Sequence, residues 1–186
     1  MKFQFKFLEL FENIQEDGVS ETIAILPGGF KPPTKGHFKA FEYLLQEANS
    51  GIVFIGKKER DGITSIQSKQ IWDVYAKYLT KPIKVEIAEI SPVRTVYEFA
   101  DANLDKNLIV GAGSKDEDVK RFSYFEKNIN TYPLVRVVKI PIQEGGISGS
   151  LTRSKILNKD DDAVDYFTPD VLSSKDKSLI TQILNI

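Results

Sequence analysis

TIAILPGGFKPPTKGHF, residues 22–38, is the stretch whose reading decides the fold. TIAIL (22–26) is a short apolar run rich in β-branched residues, the composition of a buried strand. Gly28 and Gly29 then allow the backbone to turn sharply and to come close to a neighbour or a ligand. The adjacent Pro32 and Pro33 stiffen the loop and keep it out of any helix. From about His37 to Ala48 apolar residues recur at helical spacing. A strand, a rigid glycine–proline loop and a helix opening in immediate succession make the first half of a βαβ unit.

The same alternation continues outward from this stretch. GIVFIG (51–56), IKVEIA (83–88), NLIVGAG (107–113) and LVRVVKIP (134–141) read as four more strands. Between them lie helical patterns over Ser68 to Leu79, Thr95 to Ala102 and a charged segment from about Asp116. Trp72 lies on the apolar face of its helix and reads as core. The pattern predicts an α/β fold: a doubly wound, Rossmann-like, five-stranded parallel sheet with helices on both faces. Phe3, Phe7, Leu8, Phe11 and Ile14 predict an amphipathic helix over residues 1–20. The α/β domain is expected over 21–158. A helical extension, broken near Thr168–Pro169, is expected to pack on it over 159–186.

Composition narrows the function. Lys+Arg of 25 against Asp+Glu of 26 leaves a net charge of -1, and nucleic-acid binders usually carry a basic surplus. Nucleic acid is therefore not expected as a partner. Cysteine is absent, which excludes disulfides, thiolate nucleophiles and zinc–thiolate sites and agrees with a cytoplasmic location. No apolar run approaches the roughly 20 residues of a membrane span, and the first residues lack the pattern of a signal peptide. No membrane partner is expected.

In doubly wound sheets the ligand sits outside the carboxyl ends of the strands. The loop after the first strand carries Thr34, Lys35, Gly36 and His37 into a helix start, where unpaired N–H groups and the positive dipole end favour phosphate. His37 is the only histidine and can donate a hydrogen bond there. After the fifth strand, QEGGISGSLTRSKIL (143–157) passes from a glycine-rich turn into a helical pattern, with Ser148 and Ser150 at its start and Arg153 three residues on. Taken alone, that segment is a serine-capped helix with a surface arginine. No P-loop pattern is present. GAGSKD (111–116) starts like a dinucleotide fingerprint but has Asp116 where the third glycine belongs.

GGFKPPTKGHF resembles the first signature of the nucleotidyltransferase superfamily named for its HxGH motif, here as Thr34-Lys35-Gly36-His37. ISGSLTR (147–153) is similar to its second signature, ISSTxxR. Together they cover the core from Thr22 to Leu157. The resemblance implies transfer of a nucleoside monophosphate from a nucleoside triphosphate to a phosphorylated small molecule, with release of pyrophosphate. It implies that His37 and Thr34 serve the α-phosphate and the attacking group, while Ser150 and Arg153 hold the β- and γ-phosphates. It further implies a nucleotide site that includes Gly28, Gly29, Phe30, Lys35, Gly36, Gly111 and Ser148. Mg2+ would come with the triphosphate, with no metal held by the protein itself. Lys57, Arg94, Lys115 and Asp116 are acceptor-site candidates. Lys31, Lys58 and Arg60 also lie in the first two loops, and solvation at the surface is the simpler reading of each lysine there.

The base and the acceptor stay open. The TxGH form is typical of phosphopantetheine adenylyltransferases and favours AMP transfer from ATP. GAGSKDEDVKRF, however, stands where that branch carries an arginine motif, and ERDGITSIQSKQIW (59–72) resembles nicotinamide-mononucleotide adenylyltransferases loosely. A cytidylyltransferase using CTP, as in the glycerol-phosphate branch, and a catalytically silent nucleotide-binding module are the alternatives. A homo-oligomer is compatible with the superfamily.

Overall fold

The computed structural model describes residues 21–141 and 147–186. The helix expected over residues 1–20 and the glycine-rich turn at 142–146 lie outside the described residues. Five strands form one parallel sheet: β1 (Thr22–Gly28), β2 (Ser50–Ile55), β3 (Ile83–Ile87), β4 (Asn107–Ala112) and β5 (Val135–Lys139). Their order is β3-β2-β1-β4-β5, so the chain reverses its direction of travel across the sheet between β1 and β4. That is the doubly wound arrangement the alternating pattern predicts.

The helices are α1 (Lys35–Leu45), α2 (Ser65–Ala76), α3 (Pro92–Asp101), α4 (Asp116–Lys120), α5 (Ser123–Lys127), α6 (Gly149–Asn158), α7 (Ala163–Phe167) and α8 (Ser174–Leu184). Two of them begin earlier than the apolar spacing indicates, because polar caps set their ends. Thr64 and Gln67 form a capping box, which starts α2 at Ser65 rather than Ser68. Ser91 accepts the backbone N–H of Arg94, and Pro92 fills the first helical position, which starts α3 at Pro92 rather than Thr95. The charged segment after β4 divides into the two short helices α4 and α5.

Strand periodicity sorts the core into two layers. Ala24, Leu26, Val53, Ile55 and Ile109 face α1 and α2, against Phe41, Leu44, Ile71, Trp72 and Tyr75. Ile23, Ile25, Ile52, Phe54, Leu108 and Val110 face α3 and α5, against Val96, Phe99 and Phe125. Each fully buried aliphatic side chain contributes about 1.5–3 kcal/mol. Trp72 is wholly buried, as its helical position predicts, edge-on to Phe30, Phe41 and Tyr75. Its indole N–H finds no acceptor among the described residues.

The tail continues the first layer. Phe167, Leu172, Ile180 and Leu184 are buried in it, and α8 lies against α2. Polar contacts fasten the two helices. Asp176 accepts from Lys77 at 2.8 Å and from the Tyr78 hydroxyl at 2.6 Å, and Gln67 Nε2 donates to the Ile183 carbonyl at 2.9 Å. No helix among the described residues is long and apolar enough to cross a membrane.

Gly111 lies near the carboxyl end of β4, buried and paired with Val138. A Cβ added to it would lie 2.5 Å from Leu44 Cδ1 and 2.9 Å from Ile140 Cδ1. Its small size admits Leu44 of α1 to the sheet.

Gly111→Ala is expected to cost about 1–3 kcal/mol by overpacking, read as a lowered denaturant midpoint. Asp176 yields a second expectation. The hydrogen bonds from Lys77, Tyr78 and Ser173 hold its carboxyl down at about 2. A carboxylate depressed on folding stabilises the protein above its ordinary value of about 4, and that stabilisation is lost as pH falls toward 2. Melts of wild type and Asp176→Asn should therefore converge between pH 4 and pH 2; a gap of constant size would contradict the linkage.

Candidate active site

The loop after β1 folds around Phe30. Its backbone has φ +48°, a left-handed conformation that is rare for a bulky residue and is retained only where the surroundings enforce it. The turn lays the phenyl ring back over Gly28, where a Cβ would stand 2.5 Å from Phe30 Cζ. Held there, the ring meets His37 edge-on at 5.0 Å and Trp72 edge-on at 5.5 Å. Phe30, expected at the nucleotide, is buried and forms the floor under His37.

Thr34 is the N-cap of α1, and His37 is the third residue of the helix. The Thr34 backbone N–H donates to His37 Nδ1 at 3.0 Å, and the Thr34 hydroxyl lies 3.0 Å from the same nitrogen. A nitrogen that accepts an amide proton carries none of its own, so the ring proton sits on Nε2. Burial pushes the imidazole pKa down to about 4, which makes the ring neutral at pH 7. His37 is thus a neutral Nε2–H donor with a fixed orientation. Thr34, expected to face a phosphate, is buried, and its polar groups are engaged with His37. Lys35 and Gly36 are half-buried in the first turn of α1, which contains no acidic residue to oppose an incoming anion.

Lys31 is not a surface lysine. It is 7% exposed, and its ammonium donates to the carbonyls of Gly29 and Gly56, each at 2.8 Å. Burial, with a smaller contribution from the nearby Arg60, lowers its pKa to about 8. The Gly56 N–H also donates to the Gly28 carbonyl at 2.8 Å. These bonds tie the loops after β1 and β2 together, with Gly29 left exposed at the surface.

The last loop reaches the first through α6. Ser148 caps that helix, accepting from the Leu151 N–H at 3.3 Å, and its hydroxyl lies 2.8 Å from that of Ser150. Both serines are exposed. Arg153 folds back past Gly149, and its Nη1 donates to the Lys31 carbonyl at 3.4 Å. Its Nε donates to Asp61 at the tip of the loop after β2. The structure therefore brings Arg153, from the second predicted helix start, against the loop that leads into the Thr34–His37 helix start. Both lie at the carboxyl end of the sheet.

The acceptor-site candidates are more dispersed. Lys57 is exposed directly after β2 and Gly56. Arg94, on the first turn of α3, pairs with Glu98 at 2.8 Å on an exposed face. Pro92 of the same turn packs near Gly56, within 3.6 Å of where a Cβ would stand. Lys115 is the N-cap of α4, and the exposed Asp116 pairs with Lys139 at 2.8 Å, which lowers its pKa. Sequence reading missed Asp61 and the strut formed by Lys31. The Asp61-Gly62 dipeptide signals a tight turn, but nothing in the spacing connects that turn with Arg153.

No protein-family profile matches the sequence, and no curated protein matches it. Solved structures do share its fold. A Vibrio parahaemolyticus protein assigned as a nicotinate-nucleotide adenylyltransferase superposes with a TM-score of 0.62 at 14% identity, over 86% of this chain and 98% of that one. The nicotinic acid mononucleotide adenylyltransferase of Plasmodium falciparum, solved with APC, gives 0.60 at 16% identity, over 89% and 96%. A bifunctional NMN adenylyltransferase/ADP ribose pyrophosphatase of Francisella tularensis, solved with AMP and a manganese ion, gives 0.55 at 15% identity. That match covers 90% of this chain and 50% of the other. At such identities the likeness is one of fold, and the fold is the Rossmann-like one these adenylyltransferases have.

Because His37 is the only histidine, its ring resonances are unambiguous. An NMR titration should place its midpoint near 4. A midpoint near the ordinary value of about 6.5 would mean that the ring is not held as described.

Proposed function

We propose that the chain is a nucleotidyltransferase of the HxGH class. It transfers a nucleoside monophosphate, AMP in preference to CMP, from a nucleoside triphosphate to a phosphorylated small molecule and releases pyrophosphate. The observation that carries this reading is the contact of Arg153, from the start of α6, with the loop leading into the helix start that bears His37, at the carboxyl end of the sheet. The preference for AMP is supported by the fold neighbours, whose names are those of adenylyltransferases acting on pyridine mononucleotides.

Transfer to phosphorus needs positioning and charge stabilisation more than covalent chemistry. An oxygen of the acceptor phosphate forms a bond to the α-phosphorus while the bond from that phosphorus to the α–β bridging oxygen breaks, and pyrophosphate carries away the electron pair. The acceptor is already ionised, so no general base is required. His37 donates from Nε2 to an α-phosphate oxygen. Being neutral, it gives up no proton in doing so and behaves alike across the physiological pH range. The amides at the start of α6, the Ser150 hydroxyl and Arg153 meet the charge that accumulates on the departing pyrophosphate. Among the described residues no group of three or more His, Asp or Glu side chains is placed to hold a metal. Mg2+ would enter as part of the triphosphate substrate. Lys57 and the start of α3 are the nearest candidates for the acceptor phosphate.

The test is a pyrophosphate-release assay with ATP and CTP, each paired with nicotinate mononucleotide, nicotinamide mononucleotide and phosphopantetheine. Turnover is expected with ATP and one acceptor, and His37→Ala should lower kcat about 10²–10³-fold. A thermal shift run alongside should show stabilisation by about 2.7 kcal/mol when ATP is at a hundredfold its Kd. Stabilisation without turnover for any pair would favour a silent binding module, and the absence of both would overturn the assignment.

A further inference from the structure

The loop after β2 contains a miniature hairpin. Arg60 and Ile63 exchange two backbone hydrogen bonds, at 3.2 and 3.0 Å, across Asp61 (φ +50°) and Gly62 (φ +77°). Two successive left-handed residues make a type I′ turn, for which Asp-Gly is a preferred sequence. Ile63 is 2% exposed and roots the hairpin in the core. The tip is therefore stiff, and Asp61 stands on it with its carboxylate against Arg153.

Arg153 starts from a different element, and its side chain is only 15% exposed. A mostly buried guanidinium needs acceptors, and among the described residues it has two: Asp61 at Nε and the Lys31 carbonyl at Nη1. Arginine side chains carry substantial rotamer entropy, which an anion must overcome unless the side chain is already oriented. Asp61 engages the near end of the guanidinium through a single nitrogen. Among the described residues the Nη2 group and the second hydrogen of Nη1 have no acceptor and are left for a ligand.

We propose that Asp61 is a positioning residue that holds Arg153 ready for the polyphosphate of the donor nucleotide. This rests on the functional reading above. Asp61 acts against its own charge, since a carboxylate near phosphates repels them; its benefit lies in orientation, and the two contributions can be separated by substitution. Asp61→Asn removes the charge yet keeps an oxygen to accept from Nε. Asp61→Ala removes both.

The experiment is calorimetric titration of inorganic tripolyphosphate and of ATP, with Mg2+, into wild type, Asp61→Ala, Asp61→Asn, Arg153→Ala and the Asp61→Ala/Arg153→Ala double variant. Asp61→Ala should weaken both ligands on the order of tenfold, the scale usual when a partner orienting a binding group is lost. Asp61→Asn should bind at least as tightly as wild type. In the Arg153→Ala background, Asp61→Ala should leave binding unchanged or slightly tighter. Unchanged or tighter binding by Asp61→Ala alone would overturn the proposal, as would equal weakening with and without Arg153. Were Asp61→Ala to misfold, weakening by Asp61→Asn comparable to that of Arg153→Ala would overturn it too. Failure of wild type to bind either ligand would instead bring down the functional reading, and the proposal with it.

Discussion

The hydrogen bond from the Thr34 backbone N–H to His37 Nδ1 ends a loop, starts a helix and selects a tautomer at once. A helix N-terminus leaves amides without partners, and here the third helical residue reaches back to satisfy one of them. In an ordinary capping box that residue is Glu or Gln. Histidine in the role has a second nitrogen, and accepting at Nδ1 leaves the proton on Nε2. Local stability of α1 and the chemistry of the site thus rest on the same contact. Phe30 maintains it from below, and Gly28 gives Phe30 its room.

Around that contact the site is assembled by bonds between loops. Lys31 draws the loops after β1 and β2 together through two carbonyls, and Arg153 joins the last helix start to both. Every participant lies at the carboxyl end of the sheet, near where the strand order reverses between β1 and β4. Parallel strands twist apart at that point and leave a crevice. The fold provides the place, and the bonded loops provide its rigidity.

The sheet was legible in the sequence because each strand needs only a short apolar run of the right period, and all five have one. Trp72 was legible as core for the same reason. Cap chemistry, rather than hydrophobic spacing, decided where α2 and α3 begin, so apolar spacing alone placed both starts too late. His37 could be singled out because a glycine–proline loop running into a helix start is chemically specific, and Arg153 only because ISGSLTR resembles a known signature. Lys31 and Asp61 could not. A lysine in a loop reads as solvated, and its burial depends on two carbonyls, one of them from a different strand. Asp61 meets Arg153 across a separation of 92 residues, which no local pattern encodes. That Gly111 leaves room for Leu44 was not legible either, because the two meet across a separation no local pattern encodes.

Trp72 stands two aromatic rings from the chemistry, touching Phe30, which touches His37. It is the chain's single tryptophan and is shielded from water, in an apolar aromatic surround. Indole emission responds to the polarity and motion of its immediate neighbours. Any rearrangement that tilts Phe30 alters that environment before it alters anything else in the core. The molecule thus contains its own fluorophore at the base of the loop after β1, and the state of that loop can be followed optically without attaching a label.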